Sequence, residues 1–289
     1  MDSKVTACAT RVLRPGMVLV DHGPVTMTIE AAYGGKPLTE AALAGSRRVL
    51  ELLDELTPLL PIARRAVGDI DFQTEQSCPE VLRRMIRAVR LLNEGDFTPM
   101  AAVAGAFSEL VAESVEEAGA ERIIVNNGGD IALRIPLGTN SFQAGIISDI
   151  GMGVVTHKIQ IAEGEPVRGI ATSGLGGRSL TKGVASAVTV LAGSASLSDA
   201  AATAVANATN CEDPAIERCL AEEIDYFTDI RGHTVTRRVG ALGEGSRREA
   251  VVHGLKRAEE IMGRGMITGA VIFVQQELGM LPCHLAQPL

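Results

Sequence analysis

Five short segments in the middle of the chain, "RIIVN", "DIALRI", "QAGIIS", "THKIQIA" and "RGIATS", are rich in β-forming residues and separated by Gly, Pro and Asn. Punctuation of this kind reads as successive strands joined by turns. On either side the pattern changes. "MVLVD" and "VTMTIEA" alternate apolar and polar residues across His22-Gly23-Pro24, which predicts a hairpin. Helical spacing then runs through "EAALAGSRRVLELLDEL", with Thr39 as its expected N-cap and Leu43, Val49, Leu50, Leu53 and Leu56 on its apolar face. Pro58 and Pro61 interrupt that pattern. A second helix opens at Pro79, and a third follows Pro99 and ends at Gly119. After the central strands come the glycine-rich "SGLGGRSLTKG", the strand "VASAVTVLA" and the small-residue helix "SLSDAAATAVANAT". Helices are expected near 216–224 and over 248–262, then a closing strand in "MITGAVIFVQQ". This is a mixed α/β chain with helices packed on largely antiparallel sheet.

The 289 residues suit a single domain with two lobes sharing a core. Thirty-five acidic against 27 basic residues give a formal net charge of −8, which argues against non-specific nucleic-acid binding. No apolar run approaches the roughly 18–20 residues of a membrane helix, and the N-terminus lacks a secretory apolar core. Five cysteines, Cys8, Cys78, Cys211, Cys219 and Cys283, include no CxxC pair, so reduced thiols and a cytoplasmic protein are expected.

Two glycine-rich stretches carry chemistry. "VNNGGDIALRI" is either a hairpin turn or a turn whose bare backbone at Gly128 and Gly129 also admits a ligand. "ATSGLGGRSLTKG" offers unobstructed N–H groups, the hydroxyls of Thr172, Ser173 and Ser179, and the cation of Arg178. It is either an exposed loop or a phosphate cradle. In "SLSDAAATAV", Asp199 and Thr203 share a helical face and suit a hard cation such as Mg2+. The competing reading is a capping box from Ser196 to Asp199, with Thr203 bonding back to the Asp199 carbonyl. Arg83, Arg87 and Arg90 form a basic stripe that reads as a solvated face. His157 reads as a strand residue, and Cys283-His284 as an ordinary tail.

"AGAFSELVAESVEEAGAERIIVNNGGDI", "ATSG" and "SDAAATAV", in that order, resemble the ApbE-like superfamily, best known for FAD:protein FMN transferases. The chain is most similar to the subfamily that pairs "SGLGGRSLTKG" with "DAAATAVAN". The specific match covers roughly 100–207. The resemblance implies an ApbE-like α/β (α+β) fold, with two lobes of mainly antiparallel sheet and helices around a central cleft. It places Asn126, Gly128, Gly129 and Asp130 beside a flavin nucleotide, FAD or FMN, with the family's Thr-Ser-Gly on Thr172, Ser173 and Gly174; the loop's own bare backbone and hydroxyls add Gly176, Gly177 and Ser179 to the cradle. It puts Mg2+ on Asp199, Thr203 and a backbone carbonyl near Val103, with Gly105 and Glu109 on the preceding helix. Asp199 and Arg178 are then the candidate catalytic residues.

Two departures stand out. Ala104 replaces the Lys that transferases carry before the glycine matching Gly105, and "GGRSLTKG" replaces a His-x-x-x-Pro-x-Thr-Gly segment. The expected function is binding of an anionic, flavin-nucleotide-like ligand with Mg-dependent flavinyl or phosphoryl transfer. The alternatives are a sulfur-assimilation protein of homocysteine biosynthesis using Cys8, Cys78 or Cys283, and a non-catalytic binding or assembly module. An anionic small molecule is the expected partner, with a homo-oligomer as a further expectation.

Overall fold

The computed structural model describes residues 9–289. Strands β1 (Ala9–Arg14), β2 (Met17–His22), β3 (Val25–Tyr33) and β4 (Lys36–Pro37) come first. Helices α1 (Thr39–Leu56), α2 (Leu60–Ala63), α3 (Phe72–Ser77), α4 (Glu80–Leu91) and α5 (Val103–Glu117) follow. The central strands are β5 (Arg122–Asn127), β6 (Asp130–Arg134), β7 (Phe142–Ile147), β8 (Val155–Ile161), β9 (Gly169–Ser173) and β10 (Ala187–Ala192). Then come α6 (Ala195–Ala208), β11 (Ile216–Leu220), α7 (Ala221–Ile224), β12 (Thr234–Val239) and α8 (Glu244–Gly263). Strands β13 (Ile267–Val274), β14 (Glu277–Leu281) and β15 (Gln287–Pro288) end the order.

Ten strands form one sheet in the order β1-β2-β3-β5-β6-β9-β10-β13-β14, with β4 beside β3. Its ladders are antiparallel. The period of two explains the layers. Along β10, Val188, Val190 and Ala192 join the helical core, while Ala187 and Leu191 face the opposite side. In β13, Ala270, Ile272 and Val274 meet the helices, and Val271 and Phe273 face away. That second face is covered by a three-stranded sheet, β15-β8-β7, through Ala144, Ile146, Ile159 and Ile161. Strands buried on both faces therefore read as near-continuous apolar runs.

On the helical side α5 and α6 cross closely. A Cβ at Gly105 would lie 2.2 Å from the Ala195 carbonyl oxygen and 2.8 Å from Asp199 Cβ, so only glycine permits this approach. Alanines 200, 201 and 204 keep α6 thin where it is buried.

Three local expectations are corrected. Thr39 is not the N-cap of α1; Leu38 holds that position, and the Thr39 hydroxyl accepts from Gly16 N–H at 2.9 Å. The 216–224 segment is strand β11 followed by a single helical turn, because pairing with β12 overrides its local helical pattern. The basic stripe is solvated, as expected, with Arg87 and Arg90 exposed, and it is also paired. Arg87 and Arg90 both pair with buried Glu75, and Arg83 pairs with Glu80. Finally, Ser194 rather than Ser196 caps α6, accepting from Leu197 N–H. Among the described residues, no helix is long and apolar enough to cross a membrane.

Candidate functional site

The hairpin between β5 and β6 has a two-residue loop, Gly128-Gly129, between the paired residues Asn127 and Asp130. Both glycines take positive φ, +68° and +113°, as a tight two-residue hairpin requires. The Asn126 side-chain oxygen accepts from Gly129 N–H at 2.8 Å and holds the turn. A Cβ at either glycine would touch no protein atom within 4 Å, because both face open space. The turn is thus a hairpin and also one wall of a cavity.

That cavity has a volume of about 750 Å³. Val103 and Ala104 at the start of α5 line it, as do Asp199 and Thr203 of α6. So do Asn126, Asp130, Thr172, Ser173 and Gly174, and Gly177, Arg178 and Ser179 of the following loop. The exception among the expected residues is Gly176. It stands outside the lining, and a Cβ there would come within 3.1 Å of Gly151 N, so its backbone packs on the neighbouring loop.

Asp199 reaches out of its own helix. Ala102, the N-cap of α5, has no capping side chain, which leaves first-turn N–H groups without partners. Asp199 Oδ2 accepts from Gly105 N–H at 2.8 Å, and Ala104 N–H also favours its ionised form. A carboxylate at a helix N-terminus is electrostatically favoured, yet burial pushes the Asp199 pKa up to about 7. The capping-box reading is therefore replaced by a cap supplied to another helix. Neither does Thr203 bond back; its hydroxyl makes no hydrogen bond among the described residues.

Asp130 carries the stronger perturbation. Burial, and next the charge of Asp199, raise its pKa well above the carboxylate range, while Thr172 N–H and Arg178 pull the other way. Ser108 Oγ donates to the Asp130 carbonyl at 2.8 Å and ties the hairpin to α5. Neither carboxylate has an ion-pair partner among the described residues. Arg178 donates to the Pro24 carbonyl at 2.6 Å, across to the β2–β3 turn, and it too has no carboxylate partner there.

Two carboxyl groups facing one cavity, both held toward the protonated form by burial, are groups that a cation would draw into ionised form. Among the described residues no group of three or more His, Cys, Asp and Glu could hold a metal. A cation here would rest on two carboxylates, a hydroxyl, a backbone carbonyl and ligand oxygens, an all-oxygen set that suits Mg2+.

Several cavity residues carry no sequence signal. Leu53, Leu56 and Leu60 form one wall, and Ile146, Ile147 and Ile150 another. Each has the spacing of an ordinary core residue. Pro24 also lines the cavity, as does Asn127, the variable position inside "NNGGD". Cys78, Cys211, Cys219 and Cys283 all lie outside the lining, and Cys8 lies outside the described residues. His157 is a strand residue of β8, as expected, and packs its ring on Phe273.

The family model described as AbpE bacteria matches residues 10–280. The chain belongs to that family. Among curated relatives, the UPF0280 protein of Methanopyrus kandleri is 36% identical over 190 residues, covering 63% of this chain and 72% of the relative. The UPF0280 protein of Methanococcus vannielii is 38% identical over 170 residues, 57% of this chain and 66% of the relative. The latter match thus spans just under two thirds of that relative's length. The fold is that of solved ApbE proteins. The apo flavinyl transferase ApbE of Pseudomonas stutzeri aligns over 97% of this chain and 96% of its own, with a TM-score of 0.51 and 14% identity. The flavin transferase ApbE of Vibrio cholerae aligns over 94% and 96%, with a TM-score of 0.50 and 14% identity. This member of the AbpE family therefore shares the transferases' scaffold while remaining distant from them in sequence.

Proposed function

We propose that this AbpE-family chain binds a phosphorylated small molecule in the cavity and, with Mg2+, carries out phosphoryl or flavinyl transfer on it. Convergence carries the reading. Two carboxylates with raised pKa, one guanidinium, the hydroxyls of Thr172, Ser173, Ser179 and Thr203 and the bare backbone at Gly128, Gly129 and Gly174 surround a single cavity. Perturbed acids in a concave site are a recognised signature of function. Flavin enters the reading from the names of the structural neighbours. Ala104 and the loop around Arg178, where transferases carry Lys and a His/Pro segment, place the weight on the phosphate.

Asp199, Thr203 and the carbonyl near Val103 are the residues that would hold Mg2+, with Asp130 beside them. When bound, Mg2+ neutralises charge developing on a phosphate leaving group. The chain's own residues bind and orient. Gly128 and Gly129 leave room for the ligand to approach the backbone, Ser173 presents its hydroxyl beside Thr172, whose own is shared with Thr189 at 2.8 Å, and Arg178 meets the anion. Calorimetric titration of FMN and FAD, with and without Mg2+, tests the reading. Wild type should show Mg-dependent binding, and Asp199→Asn should weaken it at least tenfold while the protein stays folded. Absence of Mg-dependent binding in wild type overturns the metal role.

Arg178 has its own test. A guanidinium grips an anion with two parallel hydrogen bonds, which lysine does not reproduce. Arg178→Lys should cost roughly 1–3 kcal/mol of ligand binding. Unchanged affinity would make Arg178 only a strap onto the Pro24 carbonyl.

A further inference from the structure

The cavity is two-sided. Its acids, hydroxyls and Arg178 come from the hairpin, the β9 end with its glycine loop, and α6. The remaining wall comes from elsewhere: Leu53, Leu56 and Leu60 from the α1–α2 corner, and Ile146, Ile147 and Ile150 from β7 and the loop after it. Leu53, Leu60, Ile147 and Ile150 are only half-buried, so they leave apolar surface open on the concave side. The side-chain hydroxyl beside them, on Thr57, already donates to the Leu53 carbonyl at 2.6 Å. Phe107 is the one aromatic residue in the lining.

We propose that the ligand is an anionic amphiphile, a phosphate head on a hydrocarbon body, with the head at Arg178 and the glycine loop and the body against Leu53, Leu56, Leu60, Ile146, Ile147 and Ile150; this rests on the phosphate-binding reading above. A heterocycle has ring carbonyls and N–H groups that need partners once water is excluded, and no side chain of this wall supplies them. A hydrocarbon needs none, and it removes from water the apolar surface that the wall exposes. A cavity of about 750 Å³ has room for a body of this kind as well as the head.

An alkyl phosphate series on the wild-type protein, in Mg2+, tests this without relying on any variant. Calorimetry should find binding about threefold tighter per added methylene, on the order of 100-fold between butyl and octyl phosphate. Octyl phosphate should also bind more tightly than FMN. Leu60→Gln, polar but uncharged and so without repulsion of the phosphate, should flatten the chain-length dependence. Affinity independent of chain length overturns the amphiphile. Tight FMN binding with weak alkyl phosphate binding overturns it too, but leaves the phosphate site standing. Failure of every phosphate to bind overturns both readings.

Discussion

Gly105→Ala should destabilise the protein by on the order of 3 kcal/mol, or roughly 6–12 °C in Tm, although it adds a single methyl group. That methyl would sit 2.2 Å from the Ala195 carbonyl oxygen and 2.7 Å from its carbon, and backbone cannot swing aside as a side chain can. Relief requires α5 and α6 to separate. Separation breaks the 2.8 Å bond from Gly105 N–H to Asp199 and takes the carboxylate away from its place at the cavity. Thermal unfolding checks the stability loss, and Mg2+ titration of the folded fraction checks the site. Gly128→Ala is the contrasting substitution. Its φ is +68° but no protein atom lies within 4 Å of the new carbon. It should cost only about 1 kcal/mol of stability and act instead on ligand binding. A wild-type Tm for Gly105→Ala would show that the two helices are not locked at this crossing.

Asp130→Asn should raise stability at pH 8, by roughly 1–2 kcal/mol or about 2–8 °C in Tm. The sign follows from linkage. Burial raises Asp130 well above the ordinary carboxylate value of 3.8, and Asp199 from 3.8 to about 7. The folded state therefore holds protons that the unfolded state has released. Stabilisation from these groups is complete below about pH 4 and is lost as pH rises through their folded pKa values. Above that pH the folded state must either keep protons that the unfolded chain releases freely or ionise the carboxylates against burial and against each other, and both cost stability. Asparagine keeps an oxygen to accept from Thr172 N–H while removing the charge. The Tm difference between variant and wild type should shrink as pH falls from 8 toward 4. A variant less stable than wild type at pH 8 would sink this account. The same variant should lose Mg-dependent ligand binding, since the destabilising charge is the one a cation would use.

Much of the fold was legible because the signals are local. Strand alternation in "MVLVD" and "VTMTIEA", glycine at position 119 and the two-residue turn at Gly128-Gly129 each depend on a few adjacent residues, and the observed elements follow them. The 216–224 segment was misread because its strand exists only by pairing with β12. Thr39 and Ser196 were misread as caps because each hydroxyl has a long-range partner: Thr39 serves Gly16, and Ser196 donates to Glu109 at 2.8 Å.

The motif residues of the cavity were visible as residues, since glycines, hydroxyls and an acid in "NNGGD", "ATSGLGGRS" and "SDAAAT" stand out from their surroundings. Their meeting was not visible. Asp199 and Gly105 lie 94 positions apart, and Arg178 and Pro24 lie 154 apart. Only the sheet order, which sets β6 beside β9 and β9 beside β10, brings them to one end of the molecule. The apolar wall was hidden more deeply. Leu53 or Ile150 looks the same in sequence whether it packs against protein or faces a cavity, because periodicity reports only that a side chain avoids water. What fills the space opposite is decided by tertiary packing alone.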